Sequence, residues 1–250
     1  MEKALCATEW FGCVPYAEAW KMQRDMAQEI ATGNRLPTLM LLEHPHTFTI
    51  GRGGGAQNIL WDATELSARE VEVFAVDRGG DVTYHGPGQL IGYPLIPLAK
   101  PGWQGERLPQ ADYVGFVRKL EVAIILTLAQ IGIVSGQRQG LTGVWVAADV
   151  WARCPRCIPS LTPQPAKIAS IGVKVDARGI SQHGFALNVD PDMRYWEGII
   201  PCGLEGVSMC SVADFITPVP TLKDIATLFA DSFASVFNFQ IQPSNLTSGG

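Results

Sequence analysis

The sequence has little charge, and its basic residues are not gathered into a run. Only 17% of the 250 residues are Asp, Glu, Lys or Arg, which is well below the quarter typical of soluble proteins. Nineteen basic and 24 acidic residues give a net charge of -5. Because the sequence offers no basic face to follow a phosphate backbone, we do not expect nucleic acid as a partner.

A long apolar run is also lacking. The most apolar stretch, Val122 to Val134, is interrupted by Thr127 and Gln130 and is too short to span a bilayer. The N-terminal residues MEKALC lack the apolar core of a signal peptide. These patterns predict no membrane partner and a cytoplasmic protein whose six cysteines stay mostly reduced.

A P-loop and a closed metal site are missing as well. The pattern Gly-x-x-x-x-Gly-Lys-Ser/Thr occurs nowhere in the chain. Cys154 and Cys157 form a C-x-x-C, but a closed zinc site needs four ligands, and Cys6 and Cys13 lie far away in the sequence. Four prolines within Cys154–Pro165 predict an irregular surface loop. We therefore expect neither a metal nor a cofactor.

Against these absences, 47% of the residues are apolar, which predicts a folded chain. Apolar residues spaced by three and four predict helices over Ala19–Ile30, Tyr113–Leu128 and Leu222–Val236. Thr221 and Asp224 have the spacing of an N-cap and its partner at the start of the last helix.

Short strands are predicted where β-branched and aromatic residues are bounded by turn residues. Several follow one another without an intervening helix, which argues against a doubly wound parallel sheet. The expected fold is α/β of the α+β-like kind, with a mixed, largely antiparallel sheet backed by helices. We expect one domain (residues 1–243) and a flexible tail (residues 244–250). The predicted strands are Thr38–Glu43, Thr47–Gly51, Val71–Asp77, Leu90–Ile96, Val144–Ala147, Ile168–Val175 and Phe185–Val189.

The most unusual segment is Arg78–Gln89, RGGDVTYHGPGQ, which combines four glycines with an arginine, a histidine and several hydroxyl or amide groups. Glycines let the backbone approach a ligand closely and present its N–H groups, while Tyr84 and Pro87 would supply apolar walls. The segment is thus a candidate ligand-binding loop. The alternative is a structural hairpin between strands that end at Asp77 and begin at Leu90.

Cys202 is a candidate nucleophile. It lies between Pro201 and Gly203 in a turn-like segment, and a thiol near the start of a helical turn has a lowered pKa. The alternative is that Cys202 is simply a small buried apolar residue. Cys210, which lies in a more apolar local sequence, fits that alternative better.

Lys167 is a candidate cationic partner for such a thiol. It heads an apolar strand-like run, where a lysine either protects a sheet edge or stabilises a neighbouring thiolate. Lys174 is the less favoured choice and is expected to be solvated. His183 precedes another apolar strand and would line one pocket with His85, although a lone histidine is more often structural.

Six blocks of the sequence, in this order, resemble those of the lipoyl(octanoyl) transferases. They extend over roughly residues 38 to 212, which makes the resemblance far more specific than a single Gly-rich loop. It implies the biotin and lipoate protein ligase catalytic fold, in agreement with the strand pattern. The blocks are EHPHTFTIGR (Glu43–Arg52), RGGDVTYHGPGQLIGYPLI (Arg78–Ile96), TGVWV (Thr142–Val146), KIASIGVKV (Lys167–Val175), HGFALNV (His183–Val189) and IIPCGLEGVSMCS (Ile199–Ser211).

The resemblance implies an enzyme that transfers an octanoyl group from octanoyl-acyl carrier protein to a lysine of a lipoyl domain, the first step of lipoate biosynthesis. The implied acceptors are the acyltransferase subunits of 2-oxoacid dehydrogenases and the glycine cleavage H protein. By the same resemblance, Cys202 carries the acyl group as a thioester and Lys167 lowers the pKa of that thiol. The implied substrate-binding residues are Arg78, Gly79, Gly80, Asp81, Val82, Thr83, Tyr84, His85, Ser170, Ile171, Gly172, Gly184, Phe185 and Ala186.

One departure from the family is the stretch between Trp145 and Lys167, which is longer than its family counterpart. Two other functions stay open. The first is an ATP-dependent lipoate or biotin ligase on the same fold, but such an enzyme forms an acyl-adenylate and needs no cysteine. The second is a non-catalytic protein that binds acyl groups or lipoyl domains, although this chain keeps both members of the Cys202 and Lys167 pair.

Overall fold

The computed structural model describes residues 3–98, 110–151, 164–203 and 206–243. The predicted loop at residues 101–109, the C-x-x-C at residues 154–157 and the tail at residues 244–250 lie outside the described residues. The three helices predicted from apolar periodicity are confirmed as α1, α3 and α5. The helices are α1 (Tyr16–Ala31), α2 (Ala63–Ala68), α3 (Gln110–Gln130), α4 (Ala148–Trp151) and α5 (Leu222–Phe237).

The strands include all seven that the sequence predicts, of which Thr38–Glu43 has the predicted bounds and the other six have one or both ends shifted, and several that it does not. They are β1 (Ala4–Cys13), β2 (Thr38–Glu43), β3 (Thr47–Ile50), β4 (Glu72–Ala75), β5 (Val82–His85), β6 (Gln89–Leu95), β7 (Gly136–Arg138), β8 (Leu141–Val146), β9 (Ala166–Val175), β10 (Ser181–Asn188), β11 (Ser208–Met209) and β12 (Phe239–Pro243).

The main sheet has the strand order β12-β1-β2-β6-β10-β9-β8-β7, and β11 pairs with β9 outside that path. The pairs β1–β12, β1–β2 and β11–β9 are parallel. The successive pairs from β2 to β7 are antiparallel. The expected mixed, largely antiparallel sheet backed by helices is therefore confirmed.

The two faces of the main sheet are covered by different helices. Because side chains alternate across a strand, Leu90, Phe185 and Leu187 belong to the core beneath α3 and α5, while Ile91 and Ala186 belong to the core beneath α1. Within the described ranges, no helix combines the length and apolarity needed to cross a membrane.

A small second sheet, with the order β4-β3-β5, lies within the segment that leads into the Gly-rich motif. The motif is therefore more than a turn between two strands, since its central residues form β5 and pair antiparallel with β3. Alternation along β5 sends Val82 and Tyr84 into an apolar cluster with Phe48 and Trp61. Thr83 and His85 point to the opposite face of β5, where they form part of one wall of a cavity.

Candidate active site

A cavity of about 270 Å³ lies between the small sheet and the main sheet. One wall comes from β5 and the turn before it, and the other comes from β9 and β10. The cavity brings together most of the residues that the sequence marks as a site. Those that line it are Arg78, Gly80, Asp81, Val82, Thr83, His85, Lys167, Ser170, Ile171, Gly172, Gly184, Phe185 and Ala186.

Two of the implied substrate-binding residues, Tyr84 and Gly79, lie outside the cavity lining. Tyr84 is fully buried on the other face of β5, where its ring meets Phe48 edge-on at 6.0 Å and its hydroxyl lies 3.0 Å from His46 Nδ1. The apolar wall expected from Tyr84 therefore comes from other residues. Gly79 serves as a backbone link, because its N–H donates to the carbonyl of Val173 at 3.0 Å.

Some residues of the lining come from segments that the sequence analysis did not mark as binding residues. His183 and Thr142 fall within recognised blocks, and His183 indeed lines one cavity with His85. Tyr93 also falls within a recognised block, Arg78–Ile96. Tyr16 has no such signal, because its place depends on where α1 packs in the fold. The additional lining residues are Tyr16, Tyr93, Gly140, Leu141, Thr142 and His183.

Lys167 occupies a fixed position in the cavity wall. It is only 3% exposed, pairs with Trp145 across the β8–β9 ladder, and holds its Nζ 5.0 Å from the centre of the Trp145 ring. Gly143 has φ +119°, and a Cβ there would lie 2.6 Å from the Ala169 carbonyl and 2.8 Å from Lys167 Cε. The Gly143 N–H donates to the buried carboxylate of Glu121 at 2.9 Å. Only glycine fits beside this lysine.

Cys202 lies on a single turn of 3-10 helix, Pro201–Gly203, which packs against β5. The Gly203 N–H donates to the Ile200 carbonyl at 3.1 Å. Gly203 has φ +64°, and a Cβ there would lie 2.3 Å from Asp81 Oδ2. Since Asp81 lines the cavity, the backbone of this turn abuts the cavity wall.

Residues 208–210, which follow that turn in the sequence, lie against β9, the strand that carries Lys167. Met209 in β11 pairs with Lys167 in β9, and the Cys210 N–H donates to the Lys167 carbonyl at 2.9 Å. Cys210 itself is fully buried, and burial raises the pKa of its thiol well above the ordinary value. Its interpretation as a small core residue is therefore confirmed.

Another part of the lining is aromatic and uncharged. The Tyr16 hydroxyl lies 3.5 Å from His183 Nδ1, and the Tyr16 ring stacks on His85 at 5.8 Å. Burial, reinforced by nearby His44, holds the pKa of His85 well below its ordinary value. Burial also raises the pKa of Tyr93. These side chains are thus neutral near pH 7, which suits an apolar ligand.

Asp77 links His183 to the surface of the molecule. His183 Nε2 lies 2.8 Å from Asp77 Oδ1, and Lys174 forms an ion pair with the other oxygen. The hydrogen bond from His183, followed by those from Lys174, holds the pKa of Asp77 well below its usual range. Burial lowers the pKa of His183, and Asp77 opposes that effect. Lys174 is thus a partner of Asp77 and not the simply solvated lysine that the sequence suggests.

Arg78 is held by the protein on the cavity wall. Its Nη2 donates to the Thr49 carbonyl at 2.7 Å and to the Thr49 hydroxyl at 2.8 Å, and its Nη1 donates to the Gly79 carbonyl. Gly172 lies against the same turn, because a Cβ there would be 2.9 Å from the Gly79 carbonyl. The glycines of β9 and the Gly-rich turn therefore permit a close approach of two backbones beside the cavity.

Among the described residues, no group of three His, Cys, Asp or Glu side chains is arranged to hold a metal ion.

The chain shares its fold with solved structures of lipoate protein ligases. The bipartite lipoate protein ligase of Thermoplasma acidophilum aligns with 98% of this chain and 87% of its own, with a TM-score of 0.67 and 15% identity. Lipoate-protein ligase A bound with ATP aligns with 98% of this chain and 90% of its own, with a TM-score of 0.65 and 15% identity. At this identity the likeness defines the fold, that of the biotin and lipoate ligase catalytic domains.

In sequence, the chain is more similar to octanoyltransferases than to the two ligases above. An octanoyltransferase of Chloroflexus aggregans is 38% identical over 237 residues, which are 95% of this chain and 96% of the relative. An octanoyltransferase of Acidobacterium capsulatum is 38% identical over 92% of this chain and 89% of the relative. The sequence model of the lipoyl protein ligase A/B catalytic domain matches residues 15–234, and the chain belongs to that family. Its reaction is accordingly an acyl transfer.

Proposed function

We propose that this protein moves an octanoyl group from octanoyl-acyl carrier protein to a lysine of a lipoyl domain, through a thioester on Cys202. The octanoyltransferase relatives support octanoyl transfer for lipoate biosynthesis. The observation that carries the finer proposal is the shared cavity. Lys167 lines it, and the turn that bears Cys202 abuts it at Asp81.

In the first half of the reaction, the Cys202 thiolate attacks the thioester carbonyl of the donor. A carbon–sulfur bond to Cys202 forms and the bond to the carrier sulfur breaks. The carrier leaves as a thiolate and takes up a proton from the Lys167 ammonium, which leaves Lys167 neutral. Because thioesters on both sides have similar energy, the exchange needs no ATP. The Lys167 ammonium stabilises the reactive thiolate, and backbone N–H groups of the Gly-rich segments stabilise the oxyanion.

In the second half, the ε-amine of the acceptor lysine attacks the octanoyl-enzyme. A carbon–nitrogen bond forms, the carbon–sulfur bond to Cys202 breaks, and the thiolate is restored. The amine must lose a proton as it becomes an amide. The proposed base is Lys167 in its deprotonated form. Its place in the cavity lining supports this role, since a general base must lie within reach of the attacking group.

The octanoyl chain is accommodated between the two sheets. Leu141, Ile171 and Phe185 offer apolar surface in the cavity, and apolar burial is the main source of affinity for such a chain. Tyr16 and His85 add neutral aromatic surface. Arg78, with its donors directed to Thr49 and Gly79, shapes the wall without requiring an anionic ligand.

The proposed macromolecular partners are an acyl-carrier donor and lipoyl-domain acceptors, namely the 2-oxoacid dehydrogenase acyltransferase subunits and glycine cleavage H protein. A cytoplasmic location, where both kinds of partner are made, is part of this proposal. The chain is proposed to need no resident cofactor.

The test is a transfer assay with octanoyl-acyl carrier protein and apo-lipoyl domain, with and without ATP. We expect the mass of the lipoyl domain to rise by one octanoyl group at equal rates in both conditions. A parallel assay replaces the donor with free octanoate. Transfer from free octanoate that occurs only when ATP is present would identify a ligase. Binding of either partner without any transfer, at stoichiometric enzyme concentration, would identify a non-catalytic protein.

A further inference from the structure

A side-chain pair beside the cavity has no part in the proposed chemistry. Asn58 ends a short 3-10 helix, Ala56–Asn58, and its Nδ2 donates to Asp81 Oδ2 at 2.7 Å. Both residues are half-buried. Asp81 is one of the residues that resemblance assigns to substrate binding, whereas Asn58 belongs to none of the recognised blocks.

The backbone around Asn58 holds the segment that leads into the cysteine turn. The Asn58 carbonyl accepts a hydrogen bond from the Ile200 N–H at 2.8 Å, and the Leu60 N–H donates to the Gly198 carbonyl at 2.8 Å. Ile59 and Ile199 form an antiparallel bridge between these bonds. Asn58 is therefore bonded to the chain only two residues before Cys202.

The Asp81 carboxylate contacts the same turn from its other end. Its Oδ1 accepts the Val82 N–H at 2.6 Å, and its Oδ2 accepts from Asn58. A Cβ at Gly203 would lie 2.3 Å from Oδ2, and one at Gly54 would lie 2.2 Å from Oδ1. The carboxylate thus fills a narrow space between two glycines, one of which follows Cys202 directly.

We propose that Asn58 and Asp81 are a positioning pair that sets where the Pro201–Gly203 turn, and hence Cys202, stands relative to the cavity. Asn58 holds the residues before the cysteine and Asp81 holds the residue after it, and their hydrogen bond joins the two supports. This inference rests on the proposed function of Cys202. It assigns Asp81 a role inside the protein, because each of its oxygens accepts a hydrogen bond there.

The pair needs one amide donor and one carboxylate acceptor. Asn58→Asp places two carboxylates in contact, which repel each other and remove the donor. Asp81→Asn keeps Oδ1 for the Val82 N–H, and its new Nδ2 donates to Asn58 Oδ1 once the Asn58 amide flips. The double variant N58D/D81N restores an amide–carboxylate pair with the two roles exchanged. This exchange is a direct test of the pair.

Two readouts are needed for the three variants. One is the rate at which iodoacetamide alkylates Cys202, and the other is kcat and KM for octanoyl transfer. We expect N58D to lower both the alkylation rate and kcat by about tenfold, the loss typical of a hydrogen bond to a charged group, with KM unchanged. We expect D81N to stay within about threefold of the wild type, and N58D/D81N to recover to the same range.

Asn34→Asp is the matched control, because Asn34 is exposed on the loop after α1 and gains the same charge. It should leave both readouts unchanged. If D81N alone raises KM and the double variant does not recover, Asp81 contacts the substrate and the inference is wrong. Wild-type rates in N58D would also overturn it. Should the wild type form no octanoyl adduct, the proposed function fails, while the alkylation rates still decide the positioning role.

Discussion

The candidate lysine and the candidate cysteine are held in very different ways. Lys167 lies on β9, a ten-residue strand whose neighbours β8, β10 and β11 all pair with it. Cys202 lies on one turn of 3-10 helix that is held by loop hydrogen bonds and by contact with Asp81. The candidate cation thus lies within the sheet, while the candidate nucleophile lies on a turn that is held by contacts with neighbouring segments.

This difference has a consequence for the proposed reaction. A strand inside a sheet holds a side chain more precisely than a loop does, so Lys167 defines the position at which the thiolate is stabilised. A loop is easier to reach from solution and to displace. We therefore expect the position of Lys167 to respond to substitutions in the sheet around β9. We expect the position of Cys202 to respond to substitutions at the few residues that contact its turn.

The largest effect is expected from Cys202→Ser, which removes the proposed nucleophile. Octanoyl transfer should fall by about a thousandfold or more, since covalent catalysis is lost, and the octanoyl-enzyme should be absent from the intact mass spectrum. Cys13→Ser, at an exposed cysteine, is the control and should behave as the wild type. A hydroxylamine-labile adduct that persists on Cys210 in the Cys202→Ser variant would move the assignment to that residue.

A smaller effect is expected from Lys167→Ala, which removes the cation but leaves the nucleophile. Alkylation of Cys202 near neutral pH should slow by about tenfold, because one opposite charge nearby favours the thiolate by roughly that factor. Far-ultraviolet circular dichroism should be unchanged. Lys21→Ala, at an exposed lysine of α1, is the comparison. An alkylation pH profile identical to that of the wild type would show that Lys167 and Cys202 are not coupled.

Gly143→Ala tests whether the position of Lys167 depends on the close approach of the β8 backbone. The added Cβ would meet the Ala169 carbonyl and the Lys167 stem, at a φ of +119° that alanine rarely adopts. We expect the free energy of unfolding in urea to fall by about 1–3 kcal/mol, with a slower alkylation of Cys202. Gly136→Ala, in the same hairpin but with open space around the new Cβ, should change neither quantity; equal losses in both variants would dissociate the effect from Lys167.

The smallest effect is expected from the double variant Cys154→Ser and Cys157→Ser. Both positions lie outside the described residues, in a stretch whose four prolines predict a surface loop. Because such loops tolerate change, transfer activity should stay within about twofold of the wild type. Purified wild-type protein should carry no stoichiometric zinc by elemental analysis. A joint loss of activity and bound zinc would identify a metal site in this loop.

The contrast between regular strands and short, irregular segments also explains which parts of the fold can be predicted from the sequence. The apolar runs of β9 and β10 and the periodic helices α1, α3 and α5 are governed by local alternation and spacing, so they are predictable. Lys167 is conspicuous because it begins such a run. β5 is less visible, since it is four residues long and surrounded by glycines, and β1 is hidden because its apolar and polar residues alternate poorly.

The rest of the site depends on packing between distant segments. Tyr16 reaches the cavity because α1 covers one face of the main sheet, and Asn58 meets Asp81 because residues 58–60 pair with residues 198–200. No local pattern encodes either contact. Tyr84 illustrates the opposite case, where membership in a conspicuous motif suggests a cavity residue but strand alternation turns the ring into the core.

The proposed mechanism depends most on whether the acyl group passes through Cys202. The direct measurement is a single turnover. Enzyme is charged with octanoyl-acyl carrier protein and freed of donor. One portion is mapped by peptide mass spectrometry, and another is mixed with apo-lipoyl domain. We predict one octanoyl group on Cys202 that leaves the enzyme at the rate at which the lipoyl domain gains it. An octanoyl group that maps to another residue, or a lipoyl domain that is modified while the charged enzyme keeps its octanoyl group, would contradict the account.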